Sequence, residues 1–322
     1  MAALDSATPL GPSVGWVIRA QSGFYTLETD EGPLVAVLRG KVKKDRRESG
    51  LVALGDLVRY ERLSQPEGDS GQVEAVVAEI LPRRSSLTRR APGPKGAWAQ
   101  DVVVANIDQL VPVFAARNPE PHMRMLDRFL AVAEIDEIDC LVVLNKVDLG
   151  VPPEVEAAMA EYERIGYPVI RTSKVTGQGL DALREALAGR VSAVVGPSGV
   201  GKSSLLNLVE PGLRLREGEV SDAVHKGRHT TRVGELHPLA AGGRVADTPG
   251  LREIGVWEVD AGELEWAYVE FRPYLNTCKY SDCTHDHEPG CAVLAAVAAG
   301  EISPERHASY VSLLADDPGA GW

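Results

Sequence analysis

Gly196-Pro-Ser-Gly-Val-Gly201-Lys202-Ser203 is the stretch that decides the fold of this chain. It follows the apolar run Ser192-Ala-Val-Val and precedes Ser204-Leu-Leu-Asn-Leu, which is the strand, loop and helix context of a phosphate-binding loop. Gly196, Gly199 and Gly201 let the backbone curl, with Pro197, Ser198 and Val200 between them, so that N–H groups converge on phosphate oxygens. Lys202 is placed to neutralise the β- and γ-phosphates. The Ser203 hydroxyl is placed to ligate Mg2+, with Ser204 next in the first helical turn. A glycine-rich turn could match by chance; the flanking strand and helix argue against that reading.

The loop does not choose between adenine and guanine, so the base-reading elements carry more of the functional reading. Asn145-Lys146-Val147-Asp148 follows an apolar strand expected over 140–144. A carboxylate at Asp148 accepts from both N1–H and N2–H of guanine, and adenine would leave those buried groups unpaired. Asn145 is expected to meet the imidazole side of the base, and the Lys146 stem to cover its face. Asn-Lys-x-Asp has little specificity by itself; beside a phosphate loop and after a strand it gains much. Ser173-Lys174 closes the strand expected over 168–172 and opens Val175-Thr-Gly-Gln-Gly-Leu180, resembling the loop whose backbone N–H meets guanine O6. Asp247-Thr-Pro-Gly250 ends another short strand: Asp247 is expected to hold Mg2+ through water, and the Gly250 N–H to face the γ-phosphate. Thr230 and Thr231, in Gly227-Arg-His-Thr-Thr-Arg232, are both candidates to complete the Mg2+ shell, Thr231 the slightly favoured one. Leu251 stands where many GTPases place a water-orienting Gln. His229 is therefore a candidate catalytic group, against the alternative that it merely occupies this loop.

These motifs stand in an unusual order. The base-reading residues precede the phosphate loop, so the α/β domain is circularly permuted, with a join near Gly189 and a break after Gly250. Close surface termini make such rewiring feasible. The phosphate-sensing Asp247–Gly250 segment then leads directly into the last third of the chain, which couples nucleotide state to whatever that third does.

The flanks complete the picture. From residue 14 to about 81, short β-type runs at 15–29, 33–42, 51–63 and 72–81 fit an oligonucleotide-binding type of barrel. Two basic runs fall in this third, Lys41, Lys43, Lys44, Arg46 and Arg47, then Arg83, Arg84, Arg89 and Arg90. Either is a solvated face or a set of phosphate contacts. Residues 83–96, rich in Pro, Gly and Arg, read as a linker. Near the other end, Cys278, Cys283, His285 and Cys291 offer three thiolates and an imidazole, the donor set of a closed structural zinc site. Their spacing leaves His287 as a rival ligand. Cys140 reads as a core residue. The net charge of −12 argues against non-specific wrapping of nucleic acid by the whole surface. The chain shows no basic head with an apolar centre at its start, and the apolar run 291–299 is too short to span a bilayer. A cytoplasmic, reducing setting without membrane attachment is the expectation, and the thiols then suit a metal better than disulfides.

Taken together, the barrel, the reordered motifs, Gly227–Thr231 and the cysteines resemble the circularly permuted ribosome-associated GTPases called RsgA or YjeQ, over most of the chain. The resemblance implies a monomeric, late-acting assembly factor of the bacterial small ribosomal subunit that binds its rRNA, with a weak GTPase stimulated by that particle. It also implies that His285 is the fourth zinc ligand. The expected architecture is multidomain: an OB-type barrel over 1–85, a linker over 86–100, a circularly permuted P-loop GTPase domain over 101–256, and a helical zinc-binding domain over 257–322. A GTP-responsive RNA-binding switch with negligible hydrolysis is the alternative that Leu251 keeps open.

Overall fold

The computed structural model describes residues 13–39, 52–67, 73–92, 98–213, 215, 234–247 and 261–315. Its first unit is a barrel of β1 (Val14–Gln21), β2 (Phe24–Thr29), β3 (Gly32–Leu38), β4 (Leu57–Glu67) and β5 (Val73–Ile80). The pairing runs β1-β2-β3-β5-β4, and β4 returns to β1, closing the sheet. Closure removes the free edges that five short strands would otherwise expose. Along β2, β3 and β5 buried residues alternate with half-exposed ones, the period of a strand with one packed face. Val17, Leu27, Ala36, Val58, Ala75 and Val77 meet inside. The single run expected over 15–29 is thus a hairpin, broken at Ser22 and Gly23, both with positive φ.

The stretch expected as a linker carries paired strands instead. β6 (Ser86–Pro92) and β7 (Trp98–Ala105) form an antiparallel ribbon. Its apolar residues explain this: Leu87 and Val104 are fully buried, packed with Trp16 and Leu57 of the barrel and Ile107 beyond. Arg83 and Arg84 are likewise removed from the basic run considered for phosphate contacts. Arg83 donates a two-pronged pair of bonds, 2.7 and 2.8 Å, to the fully buried Asp56. Arg84 bonds Asp108 and the Asn106 carbonyl. Both guanidinium groups are therefore engaged in holding the barrel and ribbon together, a better use of a planar donor fork than open solvent. Residues 41–47 and the Arg89 and Arg90 side chains lie outside the described residues.

The second unit is a mostly parallel sheet in the order β11-β10-β8-β12-β14-β13. Its strands are β8 (Gln109–Ala115), β9 (Asp139–Cys140, beside β8), β10 (Val142–Asn145), β11 (Val169–Arg171), β12 (Val191–Val195), β13 (Glu235–Pro238) and β14 (Arg244–Asp247). Among these strands only β13, which pairs on its other side with β1 of the barrel, runs antiparallel to its neighbour. β8, β10 and β12 are buried at every position, as strands covered on both faces must be. Four helices supply the cover: α1 (Met123–Ile135), α2 (Pro153–Arg164), α3 (Leu180–Leu187) and α4 (Lys202–Val209). Alternate strand residues sort the two faces. Leu110, Phe114, Val142 and Leu144 pack with Phe129 of α1 and Met159 of α2. Val111, Val113, Val143 and Val194 pack with Leu187 of α3 and Leu205 of α4.

The helix that follows β8 thus lies on one face and the helix that follows β12, its neighbour, on the other. Their divergence opens a crevice at the carboxyl ends of these two strands, where ligands of open α/β sheets bind.

A third unit contains α5 (Ala261–Ala267), α6 (Ala292–Ala299) and α7 (Pro304–Leu314). Tyr268, Phe271, Val293 and Tyr310 form its core, with Ala131 of α1 built into the same cluster. Arg306 of α7 is nearly buried and donates to Asp127 of α1 at 2.6 Å and to Glu270 at 2.7 and 3.1 Å, while Tyr162 of α2 donates to Asp127 at 2.7 Å. Among the described residues no helix is long and apolar enough to cross a membrane.

Candidate nucleotide site and metal centre

The phosphate loop is built by strand, glycine and helix in turn. β12 delivers the chain to Gly196, where φ is +130° and an added Cβ would stand 2.2 Å from the Val113 carbonyl oxygen of the neighbouring strand. Gly201 has φ +97°, and a Cβ there would meet Asn145 Nδ2 at 2.6 Å. Only glycine satisfies both the torsion and the space. α4 starts at Lys202, whose ammonium donates to the carbonyls of Gly196 at 2.6 Å and Pro197 at 2.7 Å. The lysine is therefore held across the mouth of its own loop, with Ser203 and Ser204 in the first helical turn behind it.

Asn145 ends β10, two strands away across β8, and reaches the loop directly. Its Nδ2 donates to the Val200 carbonyl at 2.8 Å, and its Oδ1 accepts from the Thr172 hydroxyl at 3.1 Å. The residue is 1% exposed. Its amide was expected to face a base; the geometry gives it in addition the work of a strut that joins phosphate loop, base-reading loop and β11 end. Lys146 adds a second tie. Its backbone is left-handed, at φ +60°, and its ammonium donates to the carbonyls of Gly199, at 2.7 Å, and of Asn118. Burial, and then the nearby Lys174, hold the Lys146 pKa below the ordinary lysine value. Asp148 follows in a single 3-10 turn, Val147–Leu149, and its carboxylate accepts from the buried Ser173 hydroxyl at 2.5 Å. The same Ser173 oxygen accepts from the N–H groups of Val175 and Thr176, at 3.1 and 3.2 Å, so the loop after β11 is shaped around it. Asp148 itself is exposed and directed by one side-chain bond, which leaves carboxylate lone pairs for a base edge.

The structure thus brings Asn145–Asp148, Ser173–Lys174 and Gly196–Ser204 together at the carboxyl ends of β8, β10, β11 and β12. The backbone of Asp247 ends β14, at the same end of the sheet. The Asp247 side chain, Gly250, and the His229, Thr230 and Thr231 candidates lie outside the described residues. A cavity of about 690 Å³ lined by Gln109, Glu137, Asp139, Tyr167 and Arg190 opens at the opposite, amino ends of the strands and contains none of these motifs. It is not the nucleotide site. Cys140 packs in the core as expected, its thiol pushed far up by burial.

The cysteine cluster closes without a gap. The ligand atoms of Cys278, Cys283, His285 and Cys291 all lie within 4.8 Å of one another. Tetrahedral coordination at a Zn–S distance of about 2.3 Å separates sulfur atoms by about 3.8 Å, and sulfur from nitrogen by about 3.5 Å. Cys278 and Cys291 Sγ are 3.9 Å apart, and His285 Nδ1 stands 3.5 and 3.4 Å from them. The donor set therefore fits a tetrahedral divalent ion. His287, the rival ligand, is outside the cluster: it is 81% exposed and pairs with Asp286. Backbone N–H groups of Ala292 and Leu294 donate to Cys278 and Cys291 Sγ at 3.3 and 3.4 Å. Burial pushes the Cys283 thiol up to about 12, and the Cys291 thiol upward too, so these sulfurs stay protonated at neutral pH unless a cation holds them as thiolates. His285 is 3% exposed, and its outer Nε2 lies 2.9 Å from Glu265 Oε2 of α5. Sequence reading missed Glu265; it lies 20 residues from His285 with no motif spacing to mark it.

Fold and site together define a circularly permuted P-loop GTPase, with an OB-type barrel before it and a cysteine-histidine cluster consistent with zinc after it. Residues 80–257 match the RsgA GTPase family model. The chain is 48% identical over 304 residues to the small ribosomal subunit biogenesis GTPase RsgA of Gemmatimonas aurantiaca, covering 94% of this chain and 96% of that one. It is 40% identical to the RsgA of Moorella thermoacetica over 303 residues, again 94% and 96% of the two chains. The crystal structure of YjeQ from Thermotoga maritima matches with a TM-score of 0.71 at 33% identity, over 94% of this chain and 97% of that one. YloQ, described as a circularly permuted GTPase, matches with a TM-score of 0.65 at 29% identity, over 98% and 96%. The chain belongs to the RsgA GTPase family.

Proposed function

We propose that this protein hydrolyses GTP to GDP and phosphate during late maturation of the small (30S) ribosomal subunit, with turnover stimulated by that particle. The observation that carries the proposal is the Asn145 bridge. It sets a guanine-type carboxylate, Asp148, in fixed relation to a phosphate loop, in a chain of a GTPase family whose named members serve small-subunit biogenesis.

In this reading Asp148 and the Ser173–Lys174 loop select guanine, and Lys146 covers the base. Backbone N–H groups of 196–204 receive the phosphates. When nucleotide enters, Lys202 exchanges its bonds to the neutral Gly196 and Pro197 carbonyls for stronger ones to anionic phosphate oxygens. Ser203, Thr231 and Asp247 would hold Mg2+, which supplies charge neutralisation across the β- and γ-phosphates. Gly250 senses the γ-phosphate and His229 orients water. One structural Zn2+ on Cys278, Cys283, His285 and Cys291 orders the last unit, the partner is rRNA within the small subunit, and the protein acts as a cytoplasmic monomer. The chain then divides near residues 85 and 256.

The test is GTP hydrolysis by purified protein with and without small subunits, with large subunits as control and Lys202→Ala as blank. Stimulation by small subunits alone is the expected result. Tight GTP-dependent binding to the particle with no turnover would replace the proposal by a switch that does not hydrolyse.

A further inference from the structure

We propose that Glu265 is a positioning residue for the metal centre: its carboxylate fixes the tautomer and ring orientation of His285, and so ties α5 to the cluster. The inference rests on the zinc reading above.

The argument is one of hydrogen bookkeeping on a single ring. A neutral imidazole carries one N–H and one lone pair. His285 Nδ1 faces the Cys278 and Cys291 sulfurs, at 3.5 and 3.4 Å, the position from which a lone pair reaches a metal. Nε2 must then carry the hydrogen. It meets a carboxylate oxygen able to accept that hydrogen, Glu265 Oε2, at 2.9 Å. A carboxylate behind a ligating histidine also makes the other nitrogen a stronger donor to the metal.

The rest of the packing holds the backbone and leaves the outer nitrogen to Glu265. The His285 residue has φ +62°. His307 Nε2 bonds the His285 carbonyl at 2.7 Å, and Tyr310 donates to the Thr284 carbonyl at 2.9 Å. The neighbouring acid, Glu288, turns to other partners than the His285 ring: it accepts from the Thr284 and His287 N–H groups at 2.8 and 3.3 Å and lies 3.6 Å from Cys283 Sγ. Glu265 comes from the first described helix after the Asp247 strand, and that helix packs on the GTPase unit through Leu264 and Ala267 beside Ala131. The carboxylate is therefore where α5, packed on the GTPase unit, is fastened to the metal centre.

The test is a Co2+ titration of full-length protein, stripped of metal under reducing conditions and competed with a chelator, on wild type, Glu265→Ala, Glu265→Gln and, as a helix control, Glu263→Ala. Histidine nitrogen-proton correlation spectra of the Zn2+-loaded proteins run beside it. Glu265→Ala should weaken metal binding about 10- to 100-fold. Glu265→Gln, which keeps an acceptor oxygen, should restore most of that, and Glu263→Ala should match wild type. Loaded wild type should show His285 protonated at Nε2. Wild-type affinity in Glu265→Ala, or His285 protonated at Nδ1, would overturn the assignment while leaving the zinc reading intact. A wild type without a thiolate-to-cobalt charge-transfer band would overturn both.

Discussion

Replacing Asn145 by alanine separates the strut from the site it supports. The side chain is 1% exposed and makes two bonds, from Nδ2 to the Val200 carbonyl and from the Thr172 hydroxyl to Oδ1. Alanine leaves both partners buried and unpaired, since Val200 is 1% and Thr172 0% exposed. Each orphaned group costs about 1–3 kcal/mol, so the nucleotide-free protein should lose roughly 2–6 kcal/mol. Asp148→Ala, three residues on, is the contrasting perturbation. Its carboxylate is exposed and accepts from one buried donor, the Ser173 hydroxyl, so Asp148→Ala orphans one group where Asn145→Ala orphans two and should cost about 1–3 kcal/mol, while preference for GTP over ATP collapses. The assay is urea unfolding without nucleotide, followed through the transition of the GTPase unit, with equilibrium titration of both nucleotides on each variant. An Asn145→Ala protein within about 0.5 kcal/mol of wild type would refute the strut, and so would an Asp148→Ala protein destabilised as much as Asn145→Ala.

Glycine torsions predict a second contrast: Gly201→Ala, with its Cβ 2.6 Å from Asn145 Nδ2, should abolish nucleotide binding, whereas Gly199→Ala, whose nearest contact is Pro119 Cδ at 3.8 Å, should cost only about 1–2 kcal/mol of backbone strain, read by thermal melting. Arg306→Met strands the buried Asp127 and Glu270 carboxylates and should destabilise docking of the last unit by about 3–5 kcal/mol, with the triple variant adding Asp127→Asn and Glu270→Gln recovering most of it in urea unfolding. Burial first, and the nearby Glu263 charge last, raise the Asp136 carboxyl to about 6, against two bonds from Thr88 that lower it. Because the folded value lies above the unfolded one, near about 3.9, its contribution to stability is present at low pH and lost as pH rises through about 6; Asp136→Asn should flatten a fall on the order of 2 kcal/mol in unfolding free energy between pH 4 and 7.

The two connections from β14 to the flanking units differ in kind. Toward the barrel, Arg244 of β14 bonds Glu28 at 2.5 Å and lies over the Trp16 ring, 4.8 Å from its centroid, three residues before Asp247. Toward the last unit, the chain itself continues from β14 into α5. A circular permutation makes the second route covalent, and the hydrogen-bonded first route is present because β13 pairs with β1 through Glu235 and Arg19.

Local sequence was enough to read the phosphate loop, the Asn-Lys-x-Asp strand end, the permuted order and the three metal-ligating cysteines, while spacing left His285 and His287 open as the fourth ligand. Each depends on torsions or donor types that neighbouring residues express: a left-handed glycine, an apolar run ending in a polar turn, three sulfurs near an imidazole. What the tertiary structure decided are the pairings between distant residues. The 86–92 and 98–105 ribbon was hidden because Pro, Gly and Arg dominate the composition there, while Leu87 and Val104 find their burial only against Trp16 and Leu57. Arg83 and Arg84 read as surface charge until Asp56 and Asp108, 27 and 24 residues away, meet them. Asn145 as a strut and Glu265 behind His285 belong to the same class. A side chain's type limits which bonds it makes, but which partner arrives depends on chain closure over tens of residues, and that is settled only when the cores have packed.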